Sequence, residues 1–286
     1  MMVQTQRDDR ILRVDGLSVE YRRGRRRTIA VEDVSFRMAE GEVVGLVGES
    51  GSGKSTIGKA ILGLVPAAEG RIEFLGEDLT AVRRSRRRQL TKDIQVVYQD
   101  PYSSLDPTKV IGYTLAEPIQ VHEPAGRDAV RERVHTMLER VGLGPEAARK
   151  YPSQFSGGQR QRVAIARALI LSPKLVVCDE AVSALDLSVQ AEIINLISGL
   201  QHESGASFLF ISHDLSVVRH VSDTVIVLKD GRVVEQGTAE EVYANPAHDY
   251  TRRLLAAAPV PDPEVQAQRT QDRILIGRAD HRTPTR

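Results

Sequence analysis

GEVVGLVGESGSGKST, residues 41–56, carries the reading from which the rest of this sequence follows. Its first half is an almost unbroken apolar run, the pattern of a strand buried on both faces. Its second half is a loop of Gly48, Glu49, Ser50, Gly51, Ser52 and Gly53 ending in Lys54, Ser55 and Thr56. Glycines let the backbone curl until its N–H groups point inward, and the helical periodicity that follows sets a positive helix end beside them. Strand, glycine loop and helix in that order make a phosphate cradle, in which Lys54 meets the β- and γ-phosphates and the Ser55 hydroxyl meets Mg2+. A nucleotide with Mg2+ is therefore the expected ligand, and the loop alone does not say in which machine.

Working outward, LVVCDEAVSALD (residues 175–186) is a second buried strand that ends in two carboxylates. Asp179 is placed to orient the Mg2+ shell, and Glu180 can polarise an attacking water. FLFI (residues 208–211) is a third such strand and leads to His213. Helical periodicity follows each one, as at Ile193, Ile194, Ile197 and Leu200, so a parallel α/β sheet is expected. Before it come strand and hairpin patterns at residues 17–21, 31–36 and 71–79, the last turning around Gly76. Residues 127–143 read as an amphipathic helix, residues 225–235 as a hairpin turning at Asp230 and Gly231, and Thr238 with Glu241 as a capping box.

YPSQFSGGQRQRVAIARAL (residues 151–169) contains a second anion-binding helix start, at Ser156, Gly157 and Gly158. One chain needs one phosphate cradle per nucleotide. Two cradles make sense if two chains pack head to tail, each closing the other's site.

This segment resembles the signature of the ATP-binding-cassette (ABC) ATPases, and further family landmarks occur in order. Tyr21 matches the adenine-stacking aromatic, Gln99 in VVYQDPYSSLDP the Mg2+-sensing glutamine that faces a transmembrane partner, and Ser156, Gly157, Gly158 and Gln159 the signature. Asp186 matches the aspartate that couples the two sites, and His213 the γ-phosphate-sensing histidine. Phe155 stands where leucine is usual, and Ala181 replaces the proline that commonly follows the catalytic glutamate. The resemblance implies an α/β fold: a P-loop NTPase core sheet with an antiparallel β-subdomain and an inserted helical subdomain at about residues 101–168. The ATPase domain is expected over residues 11–244. It also implies Lys54, Glu180 and His213 as catalytic residues, Ser55, Gln99 and Asp179 around the metal, and a nucleotide held by Tyr21, the loop, the signature and Asp186.

Only about a hundred residues separate Lys54 from Ser156, with Pro101, Pro107, Pro118, Pro124 and Pro152 among them, which excludes the long coiled coil of repair ATPases. A single cassette argues against translation factors, so a transporter subunit is the expectation. NPAHDYTRRLL (residues 245–255) resembles the extension of oligopeptide and dipeptide importer ATPases, and residues 245–286 are expected to be such an extension, partly flexible. Nickel or glutathione are alternative cargoes of the same subfamily, and a non-hydrolysing regulatory module is the alternative of another class. The implied partners are a second, non-identical ATPase, two transmembrane permease subunits and an extracytoplasmic substrate-binding protein.

Composition agrees. The 286 residues are 41% apolar and 27% charged. Their net charge of +1 argues against a nucleic-acid partner. A single cysteine, Cys178, allows no disulfide or cluster within the chain. MMVQTQRDDR lacks the apolar core of a signal peptide. No apolar run approaches the length of about 18 residues that a spanning helix needs. The expected location is the cytoplasmic face of the membrane, peripheral and held there by other chains. Two arginine clusters, residues 22–27 and 83–88, read as solvated loops, with a partner or lipid contact left open. Six histidines, His122, His135, His202, His220, His248 and His281, read as solvated or structural.

Overall fold

In the computed structural model, which describes residues 10–24, 26–100 and 104–257, six strands form a sheet at the centre of the molecule. Their order is β10-β9-β3-β8-β7-β6, made of β3 (Val43–Val47), β6 (Ile94–Val97), β7 (Leu175–Asp179), β8 (Ser207–Ser212), β9 (Thr224–Lys229) and β10 (Arg232–Thr238). All neighbours run parallel except β10, which returns antiparallel beside β9. Every residue of β3 and β8 is buried, which is why these strands are written as continuous apolar strings rather than as alternations.

Each face of this sheet has its own core. Val44, Leu46, Leu209, Ile211, Ile226 and Leu228 pack toward a second, antiparallel sheet, while Val43, Val47, Phe208, Phe210, Val225 and Val227 pack toward helices. The two-residue period of a strand sorts the side chains this way. The second sheet has the order β2-β1-β4-β5, from β1 (Arg10–Arg23), β2 (Arg26–Ala39), β4 (Glu69–Phe74) and β5 (Glu77–Asp78). Its expected hairpin at Gly76 is present, with Leu75 and Gly76 at φ 51° and 79°. The hairpin of β9 and β10 turns likewise at Asp230 (φ 50°) and Gly231 (φ 81°). Positive φ at both central residues lets a two-residue turn match the strand twist.

Helix α1 (Lys54–Ile61) follows β3 and lies between the two sheets. On the opposite face a helical layer is built from α3 (Ile111–His122), α4 (Arg127–Arg140), two short 3-10 turns (Pro145–Arg149 and Pro152–Gln154) and α5 (Gly157–Leu169). The helix α4 stops short of the 127–143 span expected for it, and Gly142 follows at φ 72°. Arg162 of α5 donates to the Val141 carbonyl at 2.9 Å and so ties the end of α4 to the layer. The chain continues through α6 (Leu187–Ser204), α7 (Leu215–Val221), α8 (Ala239–Ala244) and α9 (Asp249–Ala257). Thr238 and Glu241 form the capping box that starts α8.

One expectation is corrected. Residues 83–88 are not a loop: Arg84–Leu90 forms a helix, α2, because Leu90 is buried and Arg87 reaches into the fold to donate to the Ile61 carbonyl. The other cluster continues β1 and β2 as a ladder, Arg22 pairing with Arg27. Of the extension, α9 is packed with Tyr250 and Thr251 buried, and residues 258–286 lie outside the described residues. No helix among the described residues is long and apolar enough to cross a membrane.

The tightest point of the central layer is Gly45 in β3. A Cβ there would stand 2.2 Å from Val218 Cγ1 and 2.6 Å from Ser222 Oγ, both from α7 or its end. Gly45→Val should therefore force α7 off the sheet at a cost of about 3 kcal/mol or more, read as a lowered urea midpoint. An unchanged midpoint would show that α7 is not seated where the packing requires.

Candidate active site

The loop of residues 48–56 leaves the C-terminal end of β3 and enters α1. Its glycines are required by their surroundings. A Cβ on Gly48 (φ 152°) would lie 2.2 Å from the Leu228 carbonyl oxygen, and one on Gly53 (φ 103°) would lie 2.5 Å from that of Ala30. Gly53 is the N-cap of α1 and offers no side chain to cap it, so the first N–H groups of the helix remain available to an anion. The turn of the β9–β10 hairpin holds the loop from below, Gly231 N–H donating to the Ser52 carbonyl at 3.0 Å.

Lys54 is buried at 4% exposure. Its ammonium donates to the carbonyls of Gly48 (2.7 Å) and Glu49 (2.8 Å). These two acceptors offset part of the cost of burying a cation. Burial pushes its pKa below the usual lysine value, and the negative charges of Glu180, Asp179 and Glu49 oppose that shift. Ser55 Oγ donates to Asp179 Oδ1 at 2.7 Å, joining the loop to the end of β7. From the end of β8, His213 Nδ1 stands 3.5 Å from Glu180 Oε2. Tyr21, half-exposed on β1, has its hydroxyl 3.5 Å from Thr56 Oγ1. Tyr21, Lys54, Ser55, Asp179, Glu180 and His213 are thus gathered over the C-terminal edge of the parallel sheet and the neighbouring end of β1.

Gln99 joins them through a residue for which the sequence offered no sign. Its Nε2 donates to Ser183 Oγ at 3.1 Å, and Ser183 Oγ donates to the Glu180 carbonyl at 3.0 Å. The signal available was only proximity in sequence to Glu180. Glu180 itself sits at φ 50°. That left-handed conformation costs a non-glycine residue energy and recurs at functional sites. Its N–H donates to the Ile211 carbonyl at 3.0 Å, which holds the conformation in place. The Ser55 hydroxyl and the Asp179 carboxylate, joined at 2.7 Å, are a sparse, hard oxygen set, to which Gln99 is linked only through Ser183 and Glu180. That set suits Mg2+, which binds through one or two protein ligands plus water and phosphate oxygens rather than in a protein cage.

Ser156, Gly157, Gly158 and Gln159 form a separate group. Ser156 caps α5, its Oγ accepting from Gln159 N–H at 3.3 Å while Gln159 Oε1 accepts from Ser156 N–H at 3.0 Å. The glycines of this group face the start of α6 rather than the phosphate loop: Cβ atoms on Gly157 and Gly158 would meet Leu185 and Val189, the latter at 2.5 Å. Asp186 caps α6, accepting from Val189 N–H (3.0 Å) and Ser188 Oγ (2.7 Å), and the Ser188 hydroxyl holds its carboxyl below the usual range. Cys178 is buried in β7, and burial pushes its thiol well up, which leaves it inert. His248 accepts from Tyr250 N–H, and His122 Nε2 lies 3.3 Å from Thr91 Oγ1, both structural contacts.

Comparison with known proteins adds to this geometry. Residues 31–183 match the family described as "ABC transporter", and residues 234–279 match "Oligopeptide/dipeptide transporter, C-terminal region". The oligopeptide transport ATP-binding protein OppF of Escherichia coli (strain K12) is 51% identical over 242 residues, covering 84% of this chain and 72% of that protein. The glutathione import ATP-binding protein GsiA of Salmonella paratyphi A is 50% identical over 260 residues, covering 88% of this chain and 42% of that protein. Among solved structures, cbiO1 from Clostridium perfringens, part of the ABC transporter complex cbiONQ, superposes with a TM-score of 0.75 at 30% identity over 91% of this chain and 99% of that one. A dimeric ATP-binding cassette in a post-hydrolysis state, bound to ADP and Pi, gives 0.73 at 29% identity over 80% and 98%.

Asp186 has a role in its own chain that can be measured by itself. Asp186→Ala removes the α6 cap and should cost about 1 kcal/mol in urea unfolding. A change within a few tenths would mean that α6 starts without it.

Proposed function

The chain belongs to the ABC transporter ATPases, and on that footing we propose that it is one of two ATPase subunits of a peptide importer, hydrolysing ATP in a site completed by a second cassette. The observation that carries this reading is the division between the two anion-binding helix starts. Lys54, Ser55, Asp179, Glu180 and His213 converge on one point, while Ser156 and its glycines pack against the start of α6. A signature held that way serves a nucleotide on another chain.

Each residue then has a task. Lys54, with two N–H groups on loop carbonyls, meets the phosphate oxygens with its third, and the backbone N–H groups of the loop and α1 neutralise the remaining charge. Tyr21 stacks on the base. Glu180 orients a water in line with the γ-phosphorus and accepts its proton as the new P–O bond forms and the bond to ADP breaks. His213, beside Glu180, steadies the γ-phosphate, and Asp186 lies at the junction with the second cassette. Held by Ser55 and Gln99, with Asp179 ordering its water shell, Mg2+ would offset charge on the phosphates. The Gln99–Ser183–Glu180 relay links the metal side of the site to the conformation of the water-orienting carboxylate.

Tyr98, the residue before Gln99, lines a groove of about 410 Å3 together with Gln95, Glu117, Val121 and Arg167 among others. Tyr98 and Val121 are exposed large apolar side chains, suited to receive a loop of a transmembrane permease. Such docking would hold the chain at the cytoplasmic face. Support for peptide cargo comes from the oligopeptide-importer relatives and the extension shared with them. The glutathione-import relative falls under the same chemistry, because glutathione is itself a tripeptide.

Glu180→Gln is expected to lower ATP turnover about 100-fold or more while leaving ATP affinity near wild type. Cells carrying it should lose uptake of labelled di- and oligopeptides, with glutathione and nickel as parallel arms. Near-normal turnover would remove Glu180 from its role. Retained peptide uptake with lost nickel uptake would replace the cargo, and loss of no cargo would argue against import.

A further inference from the structure

The start of the C-terminal extension touches the phosphate loop directly. Tyr250, in α9, is buried at 4% exposure, and its hydroxyl oxygen accepts the Glu49 N–H at 3.1 Å from the far end of the chain. That N–H belongs to the peptide unit whose carbonyl, from Gly48, accepts from Lys54 Nζ at 2.7 Å. One peptide plane is therefore gripped at both ends, by the extension on one side and by the phosphate-binding lysine on the other.

The grip is built rather than incidental. Glu235 of β10 accepts from Ala247 N–H (2.7 Å) and His248 N–H (3.0 Å), and Tyr250 N–H donates to His248 Nδ1 (3.0 Å). These bonds fix the turn that delivers Tyr250. The Lys229 ammonium lies 5.3 Å from the centre of its ring, and Thr251 beside it is fully buried. A cation at that distance is attracted to the ring face. The same β9–β10 hairpin supplies Glu235 and Lys229 here and Gly231 to the Ser52 carbonyl, so loop and extension share one support.

We propose that Tyr250 is a positioning residue for ATP binding: its hydroxyl sets the orientation of the peptide joining Gly48 to Glu49 and thereby pre-forms the loop around Lys54. This rests on residues 48–56 holding the phosphates. The restraint is needed because Gly48, at φ 152°, has no side chain to limit its rotation. Without the phenolic oxygen that peptide can turn, its N–H losing a buried partner and its carbonyl leaving the line of Lys54. Ordering the loop then falls to the nucleotide, which binds more weakly while the chemistry over Glu180 is untouched. The extension thus reaches the nucleotide site through one hydrogen bond.

Tyr250→Phe tests this, since it keeps the ring and its packing and removes only the acceptor. In the full-length chain, ATP affinity should fall about five- to tenfold, KM should rise in parallel, and kcat at saturation should stay within about twofold. The melting temperature, measured alongside, should move by no more than about 4 °C. Affinity within about twofold of wild type overturns the inference, as does a fall in kcat at unchanged affinity. A loss of affinity that comes with a larger drop in melting temperature reads as a structural role and overturns it equally. Lys54→Ala, measured in parallel, should bind ATP far more weakly. If it bound normally, the phosphate reading of the loop would fail, a different failure from that of Tyr250.

Discussion

A buried ammonium organises this molecule. Lys54 sits inside the protein at 4% exposure, where an unpaired cation would be costly. It is tolerated because the loop bends two of its carbonyls back onto Nζ and because Asp179 and Glu180 close the strand ends beside it. That bend demands glycine where the Leu228 and Ala30 carbonyls crowd the loop. Those carbonyls in turn demand that β9 and β2 lie at fixed distances from β3. Two sheets, one helix between them and a hairpin turn are thus held in register around one charged group.

The same arrangement underlies the split between hydrolytic and closing surfaces on which the proposed function rests. Asp179, Glu180 and His213 lie at the ends of β7 and β8, Ser55 joins them through Asp179, and all four share the edge proposed as the phosphate site. The signature glycines belong to the helical layer and pack near Val189, whose N–H Asp186 caps. Helix caps at Ser156 and Asp186 order that surface, which the proposed function assigns to a second cassette. Ser183 joins the edge to Gln99 through two hydrogen bonds, 3.1 Å from the Gln99 amide and 3.0 Å to the Glu180 carbonyl.

Much of the fold was legible in residues whose environment is uniform along an element. Strands buried on both faces are written as near-continuous apolar strings, and residues 43–47, 175–178 and 208–211 show it. Turns with positive φ at both central residues announce themselves as Asp230 with Gly231. The helix at Arg84–Leu90 was not legible, because its arginines mask the single buried Leu90 and the inward reach of Arg87. Candidate site residues with chemistry of their own stood out: Lys54, Ser55, Asp179 and Glu180 from neighbours in sequence, and His213 through the family resemblance. What escaped depends on distant backbone. The left-handed conformation of Glu180 is held by the Ile211 carbonyl, the link to Gln99 runs through an ordinary serine, and Tyr250 meets Glu49 across most of the chain. No local pattern encodes such contacts.

The central claim is that one ATP lies between the phosphate loop of this chain and the signature of another. Photolabelling with an ATP analogue reactive at its γ-phosphate, followed by peptide mapping, tests it most directly. In the isolated chain the label should fall on residues 48–56 and spare residues 156–159. On assembly with the second cassette, residues 156–159 should become labelled as well, by nucleotide held in the partner's loop. Labelling of residues 156–159 in the isolated chain to the same extent as in the assembly would contradict the head-to-tail site.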